Sequence, residues 1–213
     1  MTNTSTVYRT LPNEEIQQAY DQLAPDYDRM TFIERYLFGV DRLRRRLLDG
    51  VSGHVLDVAC GSGANFSSFH AASHITAVDL SPGMLDMARR KAEHLNLPLD
   101  LQVMDAQQLD FADGSFDVVV SALSTCTFPD PVAALGEMGR VVRPDGRILL
   151  LEHGRSSRGL FGRYQDHAAH RHFETAGCRW NQEPLDLVRA AGLVVTAHRR
   201  SFFGVFHTIE AHP

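Results

Sequence analysis

Short apolar runs alternate with helical patterns along most of the chain from residue 54 onward. Positions 118–120 and 148–151 are continuously apolar, as expected of strands that are buried on both faces of a parallel sheet. The pattern predicts strands near 54–59, 74–79, 99–104, 116–122, 146–152, 193–199 and 203–211, and helices near 64–71, 82–95, 131–141 and 181–191. This alternation is typical of βαβ units, and it predicts an α/β fold with helices on both faces of the sheet.

The first fifty residues have a different pattern, with two helical segments before the first strand. Residues 13–30 predict a helix that is interrupted at Pro25, and apolar residues between 33 and 47 recur at helical spacing in a second helix over 31–48. We expect residues 1–50 to form an N-terminal helical lid beside a ligand-binding domain over 51–213. Positions 1–10 are polar and lack the apolar core of a signal peptide.

Residues 153–180 interrupt the alternation after the fifth strand. They show no clear period, and they contain five arginines and four histidines against two acidic residues. An irregular segment of this length inside a compact domain is usually functional, so we predict a cap insert over the ligand crevice. Its arginines would suit phosphate, carboxylate or anionic lipid headgroups, and the last of these would mean peripheral membrane contact. The alternative is that the arginines simply face the solvent.

Composition and charge narrow the possible functions. The 213 residues carry a net charge of −5 and contain no run of eighteen apolar residues, so we expect neither a membrane-spanning helix nor general binding of nucleic acid. Three widely spaced cysteines, at positions 60, 126 and 178, favour a reducing, cytoplasmic setting. We expect no metal, because His167, His170 and His172 with Cys178 do not match a closed structural zinc site.

A glycine turn after the first strand carries the clearest chemical signal. Residues 54–63 read HVLDVACGSG, and Asp79 ends the next apolar run. Glycine lets the backbone approach a ligand closely, and an acidic residue at the tip of the following strand is placed to accept both ribose hydroxyls. Asn65 and Phe66 stand where the dinucleotide fingerprint needs its third glycine. The sequence therefore favours a nucleoside without phosphates.

Five segments in order resemble the motifs of the class I S-adenosylmethionine (AdoMet) methyltransferases. The stretch Asp57-x-Ala59-x-Gly61-x-Gly63 resembles motif I, with Ala59 in place of its first glycine. Residues 77–82 resemble the ribose motif, 104–106 the adenine motif, 116–122 the fourth strand and 141–147 the turn into the fifth. The resemblance implies a Rossmann-like fold whose seven-stranded, mostly parallel sheet ends in an antiparallel hairpin.

The same resemblance implies which residues bind the cofactor. Asp57 would order the glycine loop or reach the methionine ammonium, Asp79 would accept the ribose hydroxyls, and Asp105 the adenine amino group. Alternatives remain open: Asp57 only caps its own loop, and Met84 is a core residue. The residues expected to bind AdoMet are Tyr20, Asp57, Ala59, Gly61, Gly63, Asp79, Leu80, Met84, Asp105, Ala106 and Ser121.

Tyr20 and Tyr27 lie in a segment that resembles the Tyr-Asp lid of small-molecule methyltransferases, which implies that a tyrosine covers the cofactor. Two aromatics packed on an amphipathic helix are the alternative. Because the AdoMet sulfonium is already activated, the protein mainly positions the reactants. A base is needed only if the acceptor loses a proton, and His153 is the candidate for it. The alternative is that His153 is a structural histidine whose hydrogen bonds are satisfied at the end of a strand. We expect Tyr27, Cys126 and His153 on the acceptor side.

Residues 151–155, 177–180 and 191–193 resemble a narrower group, the methyltransferase-like thiol methyltransferases and their bacterial relatives. Bacterial phosphatidylethanolamine N-methyltransferases and quinone C-methyltransferases share the core and the lid. The resemblance implies an enzyme, a monomer or homodimer, that methylates a thiol or other heteroatom of a small molecule, or a phospholipid amine, and yields S-adenosylhomocysteine. Carbon methylation of a quinone-like ring and a non-catalytic AdoMet-binding partner protein are the alternatives.

Overall fold

The computed structural model describes residues 11–213, apart from the side chains at positions 34, 35, 73, 172, 175 and 176. Positions 1–10 of the predicted lid and the His172 side chain thus lie outside the described residues. The strands are β1 (Ser52–Val58), β2 (Ala71–Asp79), β3 (Asp100–Val103), β4 (Phe116–Ala122), β5 (Val142–His153), β6 (Val194–Ser201) and β7 (Phe206–His212).

These strands form one sheet in the order β3-β2-β1-β4-β5-β7-β6. β1 to β5 pair in parallel, whereas β7 runs antiparallel to both β5 and β6. The predicted class I methyltransferase fold, with seven strands and a terminal antiparallel hairpin, is confirmed. In such a sheet the ligand crevice lies beyond the carboxyl ends of the parallel strands, where the strand order reverses; here that point lies between β1 and β4.

Helices cover both faces of the sheet. The α-helices are α1 (Asn13–Leu23), α2 (Tyr27–Met30), α3 (Phe32–Leu37), α4 (Val40–Leu47), α5 (Pro82–Leu95), α6 (Pro131–Val141), α7 (Gly159–Ala176) and α8 (Pro184–Ala190), with short 3₁₀ helices at Ala24–Asp26 and Phe66–Ser68. The predicted helices at 82–95 and 131–141 are confirmed. Each begins with a proline in its first turn and a capping side chain before it, Ser81 for α5 and Asp130 for α6, the arrangement that satisfies the first free N–H groups.

Apolar side chains pack on both sides of the sheet, as the continuous runs predicted. Alternate residues of a strand face opposite sides. Accordingly Leu56 and Ile148 belong to one buried cluster, together with residues of α6 and α8, whereas Val55 and Leu149 belong to another, together with residues of α5. Within residues 11–213, no helix combines the length and the apolar composition that crossing a bilayer requires.

Three local predictions are wrong. The helix predicted at 64–71 is a loop with one short 3₁₀ helix, because positive φ angles at Gly61 (55°) and Gly63 (76°) turn the chain there. The single helix predicted over 31–48 is two helices, separated at Gly39 (φ 72°). The turn predicted at 144–146 is a bulge inside β5. Phe116 of β4 pairs with Val142, whereas Val118, two residues further along β4, pairs with Arg147.

The prediction of an irregular insert over 153–180 is also wrong. β5 extends to His153, and α7 then occupies eighteen residues. The face of α7 that packs against the domain consists of Gly162, Gln165, Ala169 and Phe173, which are all buried. Because glycine and glutamine occupy two of these four positions, the helical stripe has no visible apolar period in the sequence.

Candidate functional site

A cavity of about 630 Å³ lies at the carboxyl ends of the parallel strands, and its volume is typical of small-molecule sites. Strand-end loops line one side, whereas α1, α2, α7 and the β6–β7 hairpin loop line the other. Most of the predicted site residues line it. They are Tyr20, Tyr27, Ala59, Gly61, Asp79, Leu80, Met84, Asp105, Ala106, Cys126 and His153.

Asp79, at the tip of β2, is fixed by the backbone on both sides. Its Oδ2 accepts a hydrogen bond from Gly61 N at 2.8 Å, and its Oδ1 accepts one from Ser81 N at 2.9 Å. Burial raises the pKa of Asp79, although these backbone N–H groups act in the opposite direction. A carboxylate has about four acceptor sites, so it retains capacity to accept hydroxyl groups from a ligand in the cavity.

Asp57 does not line the cavity, and its contacts support the interpretation that it orders the glycine loop. The side chain is fully buried, and its Oδ1 accepts a hydrogen bond of 2.8 Å from Asn65 Nδ2. Asn65 Oδ1 in turn accepts one from Arg44 Nε at 2.8 Å. Burial raises the pKa of Asp57 to about 7, while the Asn65 hydrogen bond and the Arg44 charge oppose that increase.

The two glycines of motif I have different roles. A Cβ on Gly63 would lie 2.6 Å from the Phe66 ring, whereas a Cβ on Gly61 would meet no atom within 4 Å. Gly63 therefore allows the loop to pack on Phe66 and does not line the cavity. Gly61 leaves space on the cavity side, so a ligand can approach the protein backbone closely there.

Ser121 also lies outside the cavity wall. It is fully buried, and its hydroxyl donates to Val58 O at 2.9 Å, which ties β4 to β1. The next residues, Ala122, Leu123 and Ser124, line the cavity instead. That Ser121 contacts the cofactor stays a prediction, and its side chain takes no part in lining the cavity.

The N-terminal helices contact each cofactor motif through one polar side chain. Asp21 of α1 accepts hydrogen bonds through Oδ1 from Ser81 Oγ at 2.5 Å and Gly83 N at 2.9 Å. Ser81 is the capping residue of α5 and also donates its backbone N–H to Asp79, and Gly83 lies in the first turn of α5. α1 is thereby attached to the start of α5, against which it packs.

Two further contacts complete the attachment, and we refer to those of Asn13, Asp21 and Asp28 together as the lid contacts. Asn13 Nδ2 donates to Asp105 Oδ2 at 2.7 Å, and Asp28 Oδ1 accepts from Ser62 Oγ at 2.6 Å. Sequence reasoning singled out the tyrosines of the two Tyr-Asp pairs, but it missed the aspartates that follow them. The repeated Tyr-Asp spacing was the signal that could have identified Asp21 and Asp28.

Tyr20 lies between the cofactor side and the opposite end of the cavity. Burial raises the pKa of the Tyr20 phenol well above its usual value, and the neighbouring Tyr27, the two thiols of Cys126 and Cys178, and Asp79 raise it further. The phenol is therefore neutral, and it can donate a hydrogen bond into the cavity. The Tyr20 and Tyr27 rings lie 6.3 Å apart, so they also form the aromatic pair that a packing role predicts.

Cys178 lies beside His153 and Cys126. Cys178 Sγ lies 3.1 Å from His153 Nε2, and one ligand atom from each of the three residues falls within 4.8 Å of the others. His167 and His170 are exposed on α7, where His170 contacts Glu174 one turn away. The sequence did not favour a metal site made of Cys178 and the histidines of α7, and His167 and His170 lie on the exposed face of that helix.

Aromatic and aliphatic side chains line the cavity beyond the cofactor motifs. They are Leu23, Met30, Phe38, Phe128, Phe161, Trp180, Phe202 and Phe206. At the mouth, the Phe38 and Phe202 rings pack with their centroids 4.7 Å apart. A site with this lining favours a ligand that is largely apolar.

None of the five arginines at 155–179 lines the cavity, although all five are among the residues that the structure describes. Arg155 forms an ion pair with Asp166, and the Arg179 guanidinium donates to Phe128 O at 2.6 Å. Arg158 stacks on the Phe203 ring, 5.5 Å from its centroid. The predicted role of these arginines over the crevice is therefore not supported.

Glu152 is a buried acidic residue that the sequence did not identify as functional. It is fully buried at the end of β5, and its Oε1 accepts long hydrogen bonds of 3.3 Å from the backbone N–H groups of Ser124 and Thr125. Burial raises the pKa of Glu152. The side chain holds the loop after β4, which carries Cys126.

Comparisons with known proteins agree with this geometry. A family described as a methyltransferase domain matches residues 56–150. The mitochondrial methyltransferase OMS1 of Saccharomyces cerevisiae is 29% identical over 94% of this chain and 47% of its own length. The demethylmenaquinone methyltransferase of Thermus thermophilus is 37% identical over 67% of this chain and 68% of its own length. The phosphatidylethanolamine N-methyltransferase of Cereibacter sphaeroides is 36% identical over 50% of this chain and 54% of its own length. The chain thus spans about half to two thirds of these curated relatives.

Solved structures share the fold at low identity. A complex of the Haloferax volcanii Trm112 methyltransferase activator with a methyltransferase matches with a TM-score of 0.72 and 19% identity, over 91% of this chain and 97% of that one. The [4+2]-cyclase SpnF matches with a TM-score of 0.71 and 21% identity, over 93% of this chain and 78% of that one. The cyclase name illustrates that this fold alone does not define a reaction. The family match, the sequence relatives and the motif residues around the cavity show that the chain belongs to the class I S-adenosylmethionine-dependent methyltransferases.

Proposed function

We propose that this enzyme transfers the methyl group of AdoMet to a heteroatom of a small lipophilic acceptor, with a thiol as the first candidate and a phospholipid amine as the second. S-adenosylhomocysteine is the second product. The observation that carries the proposal is the lining of the cavity, in which an aromatic section ends at Cys126, His153 and Cys178.

The cofactor side follows from the strand-end residues. Asp79 has acceptor capacity for both ribose hydroxyls, Asp105 lies where an adenine amino group can donate, and Gly61 offers an unobstructed backbone. In this arrangement the cofactor lies along the carboxyl ends of β1, β2 and β3. Its sulfonium methyl group then points toward the aromatic section, which is the remaining part of the cavity.

The acceptor side explains the preference for a lipophilic molecule. Its aromatic side chains exclude water, which strengthens electrostatic interactions and protects the sulfonium from hydrolysis. A thiol acceptor must lose its proton to become a strong nucleophile, and His153 with the two neighbouring thiols can assist that loss.

The mouth of the cavity supports contact with a membrane surface. Leu160 is 85% exposed and Phe203 57% exposed, each is adjacent in sequence to a lining residue, Phe161 or Phe202, and the Arg158 guanidinium lies over the Phe203 ring. Exposed apolar residues beside basic residues are the combination that binds anionic interfaces. Such contact would deliver a lipophilic acceptor directly to the cavity.

Carbon methylation of a quinone-like ring is the second candidate function. The similarity to the demethylmenaquinone methyltransferase of Thermus thermophilus favours it, and a flat ring with an apolar tail also suits the aromatic lining. This reaction needs an activated ring carbon as nucleophile, so it makes no use of the two cavity thiols.

The test is S-adenosylhomocysteine formation with a panel of acceptors. The panel contains alkyl thiols of increasing chain length, hydrophilic thiols, phosphatidylethanolamine vesicles and isoprenoid hydroquinones. Each added methylene buries apolar area worth about 0.8 kcal/mol, so KM for the alkyl thiols should fall by up to about fourfold per methylene until the cavity is filled. Asp79→Ala serves as the control for background turnover.

Turnover with alkyl thiols that exceeds turnover with the other classes supports the proposal. Turnover with hydroquinones alone supports carbon methylation of a quinone-like ring instead. AdoMet binding without turnover on any class would contradict both candidates and leave a non-catalytic AdoMet-binding partner protein.

A further inference from the structure

Cys126, His153 and Cys178 come together from three separate segments. Cys126 lies in the loop after β4, His153 ends β5, and Cys178 follows α7. Their ligand atoms lie within 4.8 Å of one another, and all three residues line the cavity. We propose that these residues form a Zn²⁺ site whose fourth coordination position opens into the acceptor section of the cavity.

The donor atoms and their spacing suit Zn²⁺. Three Cys and His ligands with one open position are typical of catalytic zinc. With ordinary Zn–S and Zn–N bonds at tetrahedral angles, a sulfur and a nitrogen ligand lie about 3.6 Å apart, and two sulfurs about 3.8 Å apart. Here one S···N distance is 3.1 Å and every pair lies within 4.8 Å. Shifts of about 1 Å in the side chains are therefore sufficient for tetrahedral coordination.

Charge balance also favours the cation. Two thiolates and a neutral imidazole around Zn²⁺ form a neutral unit. A neutral unit suits this wall, because Cys126 is 2% exposed and the surrounding section is aromatic.

The segments that carry the three ligands are tied together by hydrogen bonds that do not involve the ligand atoms. Arg179 N donates to Cys126 O at 3.1 Å, which joins the loop after β4 to the segment after α7. Gln182 Nε2 donates to Thr125 Oγ1 at 2.8 Å and to His153 O at 3.3 Å. A site whose backbone is held in this way is organised before the metal binds.

The consequence for catalysis rests on the proposed thiol methylation. An acceptor thiol that binds at the open position loses its proton to solvent and becomes a zinc-bound thiolate. A sulfur lone pair then forms a bond to the AdoMet methyl carbon. The bond from that carbon to the sulfonium breaks, and its electron pair stays on the sulfur of S-adenosylhomocysteine. The balance is thiol plus AdoMet to methyl thioether, S-adenosylhomocysteine and one proton. His153 holds the ion in this scheme instead of accepting the proton.

Metal binding by the full-length, reduced protein tests the site directly. Zn²⁺ affinity is measured by competition with a coloured chelator, and Co²⁺ substitution reports thiolate ligation through charge-transfer absorption. Cys178→Ser and Cys126→Ser should each weaken Zn²⁺ binding at least about 100-fold, since even residues that only support ligands cost 10–100-fold. Cys60→Ser and His170→Gln are matched controls that should retain the wild-type Zn²⁺ affinity.

The Co²⁺ spectrum of the wild type keeps the test decisive if a variant fails to fold. Thiolate charge-transfer bands support the site, and their absence overturns it. Equal Zn²⁺ affinity in the wild type and a folded Cys178→Ser variant also overturns it.

An activity measurement separates the site from the proposed function. Removing the metal should lower thiol methylation at least about tenfold, and Zn²⁺ should restore it while AdoMet affinity stays unchanged. Thiol methylation without any Zn²⁺ binding overturns the site but leaves the proposed function intact. Zn²⁺ binding that depends on both cysteines, without methylation of any thiol, supports the site and overturns the thiol acceptor.

Discussion

The two sides of the cavity are built in different ways. On the cofactor side, the last four residues of β1 are buried and Asp79 is fixed by two backbone N–H groups. On the lid side, α1 has no fully buried residue and is attached to the domain by side-chain hydrogen bonds. The cofactor side is thus part of the folded core, whereas the lid can separate from it at a much smaller cost in free energy.

This difference suits the order of events in methyl transfer. A rigid cofactor side holds AdoMet in one position, which reduces the entropy that the reaction must lose. A detachable lid lets the cofactor and the acceptor enter and then excludes water. Each lid contact reaches a different motif: Asn13 reaches the adenine motif, Asp21 the ribose motif and Asp28 the glycine loop.

The largest expected effect is on the core of the cofactor side. Gly63→Ala should lower the free energy of unfolding by about 2–5 kcal/mol, because it combines left-handed strain with a clash against the Phe66 ring. Gly61→Ala has the same kind of φ but no nearby atom, so it should cost only about 1–2 kcal/mol while it obstructs AdoMet. Denaturant unfolding and calorimetry measure the two effects. Equal losses of stability would contradict the different roles of these glycines.

The second prediction concerns Asp57. Its pKa of about 7 lies above the ordinary value of 3.8, so between these pH values the folded protein binds a proton that the unfolded chain releases. Asp57 therefore contributes a loss of stability as pH rises from about 4 to about 7. The asparagine side chain that replaces Asp57 does not titrate. The stability of Asp57→Asn relative to the wild type should therefore increase as pH rises, by at most about 4 kcal/mol across that window. Unfolding curves at several pH values measure the trend, and a difference that stays constant with pH would contradict it.

The third prediction concerns the ribose contact. Asp79→Ala should weaken AdoMet binding by about 1–3 kcal/mol, the scale of a lost hydrogen bond to a charged group. Asp79→Asn keeps one carbonyl oxygen and should lose less. Titration calorimetry measures both affinities. Unchanged AdoMet affinity in Asp79→Ala would rule out Asp79 as the ribose acceptor.

The smallest expected effect is on the lid. Asp21→Ala should weaken AdoMet binding by about 0.5–1.5 kcal/mol, mainly through faster dissociation, with little change in unfolding. Asp26→Ala is the matched control, since Asp26 forms an exposed ion pair with Arg29 away from the cofactor motifs. Stopped-flow dissociation of AdoMet measures the difference, and equal rates in the two variants would show that the lid contacts do not retain the cofactor.

The cofactor side was largely predictable from sequence, whereas the acceptor side was not. Asp79 ends β2, whose apolar run fixes its place in a parallel sheet, and Asp105 follows two residues after the end of β3. α7 was missed because Gly162 and Gln165 stand in its buried face. Cys126, His153 and Cys178 come from distant segments, and no local spacing indicates that they meet. The lid contacts were missed because a polar residue in a helix, such as Asn13 or Asp21, does not reveal from its own segment which distant residue it bonds.

A crystal structure with S-adenosylhomocysteine bound tests the central assignment of the two sides most directly. We expect that the ribose hydroxyls donate to Asp79, that the adenine lies beside Asp105, and that the product sulfur faces the section with Cys126, His153 and Cys178. A ribose bound away from Asp79, or a sulfur that faces away from these three residues, would contradict it.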